Sequence, residues 1–183
     1  MITLTALQNE IITKKSETLH ATAKAENKGT RWINNRLNKE KAYHEAIAEG
    51  NEIKEIRISV EWKKSATWGM NPTASVEIYT TDKEGNSKYS QFTGTASGCG
   101  YDKLSASIAT AINGSPDFMK LLYATYEKKG KINKPYGVSF SEYGAYLSGG
   151  VGVSSYRSVF EWLGYSFNSI ASGKTFDVFT VTK

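Results

Sequence analysis

The chain has 183 residues, 39% of them hydrophobic and 12% aromatic, with a net charge of +5. That profile excludes an intrinsically disordered chain and supplies enough apolar side chain for the core of one domain, or of one domain with an appendage. A single Cys forbids an intramolecular disulfide, and two His with one Cys are too few for a Cys/His zinc site.

Residues 1–54 read as a charged helical arm. Leu4, Leu7 and Ile11 fall at i, i+3 and i+7, a narrow apolar stripe. Gly29 and Thr30 interrupt the pattern, and a second helix is predicted from Trp32 to Glu49, with Ile33, Leu37, His44 and Ile47 near one face and Gly50 as its stop. Lys and Arg interleave with Glu along both helices. Stripes this thin predict an arm that packs on the main domain, on a partner, or on a second copy in a homodimer.

Residues 55–183 read as a core domain. "EIRISVEWK" alternates, with Ile56, Ile58, Val60 and Trp62 on one face, and "TASVEIYTT" repeats the pattern with Ala74, Val76, Ile78 and Thr80. The link "KSATWGMNP" is too long for a tight hairpin turn. "DKEGNS" is a turn signal and "KYSQFTGTA" a third strand, so the three form an antiparallel meander. A helix follows, with Asp102 as N-cap, Leu104, Ile108 and Ile112 inside, and Asn113-Gly114 as its end. The next helix has Ser115 as cap, Pro116 in its first turn and Phe118, Leu121 and Leu122 buried. Residues 131–153 are rich in Tyr, Gly and Ser and read as a long irregular or weakly stranded segment, of a length that often serves as a binding loop. "SSYRSVFEWLG" is a short helix with Tyr156, Val159, Phe160 and Leu163 inside, and "KTFDVFTVT" is a last strand returning to the sheet edge. The class is α+β: an N-terminal helical arm, then an antiparallel sheet of about four strands with helices packed on one face.

Several constellations bear on function. "GCGYD" at 98–102 and "GVGVS" at 150–154 share a Gly-x-Gly-x-cap pattern, each ahead of a helix. Gly98, Gly100, Asp102, Gly150, Gly152 and Ser154 thus mark two helix N-termini with the backbone chemistry to accept an anion. Neither turn has the third glycine of a dinucleotide fingerprint or the lysine of a P-loop, which favours plain strand-to-helix turns. Cys99 at a helix start is a candidate thiol nucleophile, but His20 and His44, the only His residues, both lie in the polar arm. Glu61, Glu77, Asp102, Glu142, Glu161 and Asp177 are scattered; only Glu61 and Glu77, on the polar faces of neighbouring strands, have a route to one another, and a metal nuclease needs several converging carboxylates. No catalytic set and no cofactor or metal site emerges.

Basic residues interleave with aromatics at Lys63, Lys64 and Trp68, and again at Lys128, Lys129, Lys131, Lys134 and Tyr136. Lysines contact phosphates and rings stack on bases, so these are the candidate partner-binding residues, for DNA or RNA or for an acidic protein surface; the competing reading is a solvated basic rim beside core tryptophans. The first residues, "MITLTALQNEIITKK", lack the apolar run of a secretory signal, and no segment has the length to span a membrane. A lone Cys fits a cytosolic setting.

Four blocks taken together, "SVEWKKSATWGMNPTASV", "FTGTASGCGYDKLSASIATAIN", "GGVGVSSYRSVFEWLGY" and "SGKTFDVFTV", resemble a family of small proteins encoded by phages and mobile elements of gut Firmicutes. The blocks span most of residues 59–181 and leave the arm outside. The resembled group includes or borders on an anti-CRISPR protein that inhibits type II-A Cas9. The resemblance implies a non-catalytic inhibitor, acting in the cytoplasm of the host cell, that binds a Cas9-type nuclease and blocks DNA engagement or cleavage; the alternative is a nucleic-acid-binding accessory protein of the same origin. Inhibitors that mimic DNA are acidic and this chain is basic, so it would instead bind acidic patches, occlude or lock the nuclease, or touch nucleic acid itself.

Overall fold

The computed structural model describes residues 3–66, 69–98, 101–130, 133–141 and 144–183. Two helices come first, α1 (Ala6–Ala25) and α2 (Thr30–Glu49). Thr5 and Gln8 start α1 with a reciprocal cap: the Gln8 amide N–H donates to Thr5 Oγ1 at 3.2 Å, and Thr5 N–H donates to Gln8 Oε1 at 2.9 Å. Gly50 ends α2 as predicted.

The sheet begins at β1 (Glu52–Ser65), earlier than the sequence pattern placed it, and continues through β2 (Gly69–Thr81) and β3 (Ser87–Thr95) as an antiparallel meander. The alternation in β1 and β2 is realised: Ile56, Ile58, Val60, Ala74, Val76, Ile78 and Thr80 are all buried. The link between these strands is shorter than expected. Pairing runs on to Ser65 opposite Gly69, because most residues of "KSATWGMNP" are themselves strand.

Helices α3 (Tyr101–Ile112) and α4 (Pro116–Lys129) follow, then a two-stranded hairpin of β4 (Val138–Ser141) and β5 (Gly144–Leu147), then α5 (Ser154–Leu163), β6 (Ser166–Ser172) and β7 (Phe176–Thr182). Ser115 caps α4 by accepting from Phe118 N–H at 3.2 Å, and the four residues predicted inside α5 are its buried ones. The main sheet has the order β3-β2-β1-β7-β6. It therefore has five strands, and β7 is interior: β6 pairs along its far side and takes the edge that the last strand was expected to hold.

Helices cover one face of this sheet. α3 lies so close to β3 that a Cβ at Gly94 would meet the Ser107 carbonyl oxygen and, at 2.5 Å, the Ala111 nitrogen, so only Gly permits the approach. One large core unites the inner faces of the strands with α3, α4, α5 and the hairpin. Leu7, Ile11 and Ile47 join it, so the proximal turns of the arm are part of the main core. The distal turns hold a small cluster of their own, Leu19, Ala23 and Ile33, with Trp32 and Leu37 packed against it.

Candidate interaction surfaces

The second glycine turn packs against α3, where a Cβ at Gly149 would stand 2.7 Å from Ala106 Cα. The Tyr156 hydroxyl, from α5, donates toward two carbonyls, Ser105 of α3 at 2.8 Å and Ser148 of the second turn at 3.0 Å. Beside this junction lies a cleft of about 480 Å³ lined by Leu104, Gly152, Val153, Ser154, Asp177 and neighbouring side chains. Its backbone donors are largely occupied. Gly98 N–H donates to Asn71 Oδ1 at 2.8 Å, Gly150 N–H to Ser148 Oγ at 3.3 Å, and Ser155 and Tyr156 N–H donate to the Gly152 and Val153 carbonyls at 2.9 Å. Neither predicted cap holds its place. Asp102 stands inside the first turn of α3, ion-paired with Lys103 at 3.4 Å, and Ser154 is the first residue of α5, whose cap position is taken by Val153 with no side-chain bond. The Asp177 carboxylate adds negative charge to the cleft and accepts from Trp62 Nε1 at 2.8 Å and Ser172 Oγ at 2.7 Å. Gly100 and Cys99 lie outside the described residues.

The predicted basic-aromatic groups occupy separate places. Lys63 and Lys64 are exposed on the last residues of β1, Lys63 ion-paired with Glu61 at 3.0 Å. Lys128 and Lys129 form the last turn of α4, where Lys129 donates to the Trp162 carbonyl and stands 5.7 Å over the Trp162 ring. Lys134 donates to the Val138 carbonyl, and Tyr136 is 78% exposed. Trp68, Lys131 and Glu142 lie outside the described residues. Glu61 and Glu77 do not converge: Glu61 pairs in register with Thr73 and Glu77 with Arg57. Among the described residues no group of three or more His, Cys, Asp and Glu has the geometry to hold a metal ion, and no helix is long and apolar enough to cross a membrane.

A second cleft, of about 600 Å³, lies between α2, α4 and the hairpin and is lined by Glu40, Tyr43, Tyr123, Ser141 and Tyr146 among others. Beneath it His44 is fully buried, stacked 6.1 Å from the Tyr123 ring and edge-on to Tyr43 at 5.5 Å. Its Nε2 is 3.5 Å from Glu40 Oε1, too long for a good hydrogen bond, so burial outweighs the carboxylate and holds the imidazole below its ordinary pKa. Burial also raises the Tyr43 and Tyr123 phenols, Tyr123 strongly, with the nearby Glu40 adding to both. A general base must reach a substrate proton, and His44 has no exposed surface. The Tyr43 and Tyr146 rings are exposed at its rim.

Two surfaces went unread in the sequence. One is the outer face of the main sheet, which no element covers among the described residues. There Tyr79 and Tyr89 pair across β2 and β3 with ring centroids 5.3 Å apart, the Arg57 guanidinium stands 4.8 Å over Tyr79, and both tyrosine hydroxyls donate to Glu77 at 3.3 Å. Tyr89 is 52% exposed, and Phe176, opposite Glu61 on the same face, is 45% exposed. The alternation of each strand shows which residues point outward; only the register shows that Arg57, Glu77, Tyr79 and Tyr89 meet.

The other is the distal arm. Residues 14–41 hold eight Lys and Arg against three Glu, a net of +5, while the rest of the chain holds fifteen of each sign and nets zero. The whole net charge of the protein therefore sits on the far half of one helical hairpin. A charge count by segment, rather than over the whole chain, is the signal that finds it. Comparison with protein-family models, with curated protein sequences and with solved structures finds no match for the chain in any of the three.

Proposed function

We propose that the chain acts by binding a macromolecular partner, and that this partner is a bacterial Cas9-type nuclease whose DNA engagement or cleavage it blocks. The resemblance of its four sequence blocks supplies the identity of the target. The observation that carries a binding role is the uncovered sheet face with Arg57, Tyr79 and Tyr89 locked together on it. Tyr and Arg held rigid on an accessible surface are the side chains that dominate protein-protein hot spots, because they bring large contact area and hydrogen bonding at small entropic cost.

The test is co-purification of the chain with a type II-A Cas9, together with a DNA-cleavage assay. Wild-type chain is expected to bind and to slow cleavage, and Tyr79→Ala/Tyr89→Ala to weaken both by about tenfold or more while the fold persists. A wild-type chain that neither binds the nuclease nor slows it would end this reading.

A further inference from the structure

We propose that the exposed face of α2 is a docking surface for duplex DNA, entering the major groove. The proposal stands on the arm alone and is independent of the nuclease reading, since the purified chain suffices to test it.

The outermost stripe of α2 is Arg31, Asn35 and Asn38, at i, i+4 and i+7; Asn34 and Lys41 flank it on one side and Lys39 on the other, all six exposed. Asn35, Asn38 and Lys39, with Arg36, line a shallow depression of about 430 Å³. Among the described residues Arg31, Lys39 and Lys41 form no ion pair, and the segment that carries them holds the entire net charge of the protein. Such a surface attracts a polyanion.

Two features select DNA over an acidic protein. The first is composition. A carboxylate-rich protein surface offers acceptors and so uses cations and N–H donors, whereas three Asn side chains lie among these cations, each offering a donor and an acceptor side by side, the pair that reads a base edge in the major groove. The second is spacing. Arg31 and Lys41 are ten residues apart, about 15 Å along the axis, close to the roughly 12 Å width of the major groove. The two cations thus reach phosphates on either side while Asn35 and Asn38 face the bases between. Duplex RNA presents a major groove too deep and narrow to admit the helix. Glu45, at the proximal end of the same face, limits the contact to the distal turns.

The arm is built to hold this face steady. The distal cluster of Leu19, Ala23 and Ile33 fastens α2 to α1, and the Arg36 guanidinium lies 3.9 Å over the Trp32 ring, closing that cluster from the side. Neither group is needed on the outer stripe.

Fluorescence anisotropy of the purified full chain with a labelled, mixed-sequence duplex DNA tests the proposal. Wild-type affinity is expected to fall as salt rises, and Arg31→Glu/Lys39→Glu/Lys41→Glu to weaken binding at least about tenfold and to flatten the slope of log affinity against log salt by about 2–3. Lys54→Glu/Lys83→Glu/Lys88→Glu, the same change of charge on the sheet and its β2–β3 turn, leaves that slope in place. Asn35→Ala/Asn38→Ala keeps the slope and narrows the spread of affinities among duplexes of different sequence. All these positions are exposed, and circular dichroism verifies that each variant folds. The proposal is overturned by no binding at low salt, by an unchanged slope in the arm variant, by duplex RNA binding as well as DNA, or by an acidic polypeptide binding as tightly as the duplex.

Discussion

The Gln8 side chain donates from Nε2 to the His44 backbone carbonyl at 3.1 Å, fixing the first turn of α1 against the last turns of α2. The same side chain closes the α1 cap through Thr5, and it is 1% exposed. One amide therefore serves two elements from a buried position. Gln8→Ala removes the cap partner and strands the cap hydrogen bond and the inter-helix bond together; the expected loss is about 2–3 kcal/mol. Urea denaturation checks it. A loss under about 0.5 kcal/mol would mean that water replaces both bonds without penalty.

The pH dependence of stability follows from His44. Its folded-state pKa is depressed by burial, against the opposing pull of Glu40, while Tyr43 and Tyr123 pack on the ring as neutral phenols. The unfolded chain therefore takes up the proton more readily than the folded one. Stability is complete above the unfolded value, about 6.5, and is lost as pH falls below it. Melting temperature is expected to drop between about pH 7 and pH 5, and His44→Phe, which keeps a ring on Tyr123 but cannot titrate, flattens that drop. An equal drop in the variant would assign the acid sensitivity to the carboxylates instead.

Much of this architecture is legible in the residues, and the exceptions have physical reasons. Ile56, Ile58, Val60, Val76 and Ile78 announce two strands because one face is fully buried and the other wet. β6, "SFNSIAS", is silent because it is an edge strand: Phe167 is its only buried residue, and the register shift at Ile170 breaks the alternation. The β4–β5 hairpin is disguised by Gly144, which sits at φ +104° with Tyr123 Oη 2.5 Å from where a Cβ would be, so a turn signal marks a tight packing site. The surfaces fare differently. Lys63, Lys64, Lys128 and Lys129 stand out in composition, yet they lie on separate elements, whereas Arg57, Tyr79 and Tyr89 are far apart in sequence and meet only through strand register.

Gly94 is the point where α3 touches the sheet backbone to backbone. Gly94→Ala places a methyl group against the Ser107 carbonyl and the Ala111 nitrogen, neither of which is the free end of a flexible side chain. The helix has to lift off β3. The expected cost is about 2–3 kcal/mol, which in a chain of this size lowers the melting temperature by about 4–12 °C. Calorimetry reads this directly. Gly85→Ala is the comparison: nothing lies near its missing Cβ, so any cost there comes from its positive φ alone.

The distal arm is expected to open separately from the rest of the molecule. Its apolar cluster contains three buried residues, and no residue of that cluster belongs to the main core. Leu19, 6% exposed, is the largest α1 contribution to it. Leu19→Ala removes buried methyl groups worth about 2–3 kcal/mol at a partly collapsible site. Because the proximal turns are held by Leu7, Ile11, Ile47 and the Gln8 bond, the loss falls on the hairpin tip rather than on the sheet. Hydrogen exchange is the measurement: amides of the distal turns are expected to exchange about 30-fold to 150-fold faster, with those of β1, β2 and β7 unchanged. Uniform acceleration through the sheet would show that arm and core unfold as one unit. Where the tip does open alone, the same substitution is expected to disorder the Arg31–Lys41 face and to lower the proposed DNA affinity without touching a charged residue, which separates the shape of that face from its charge.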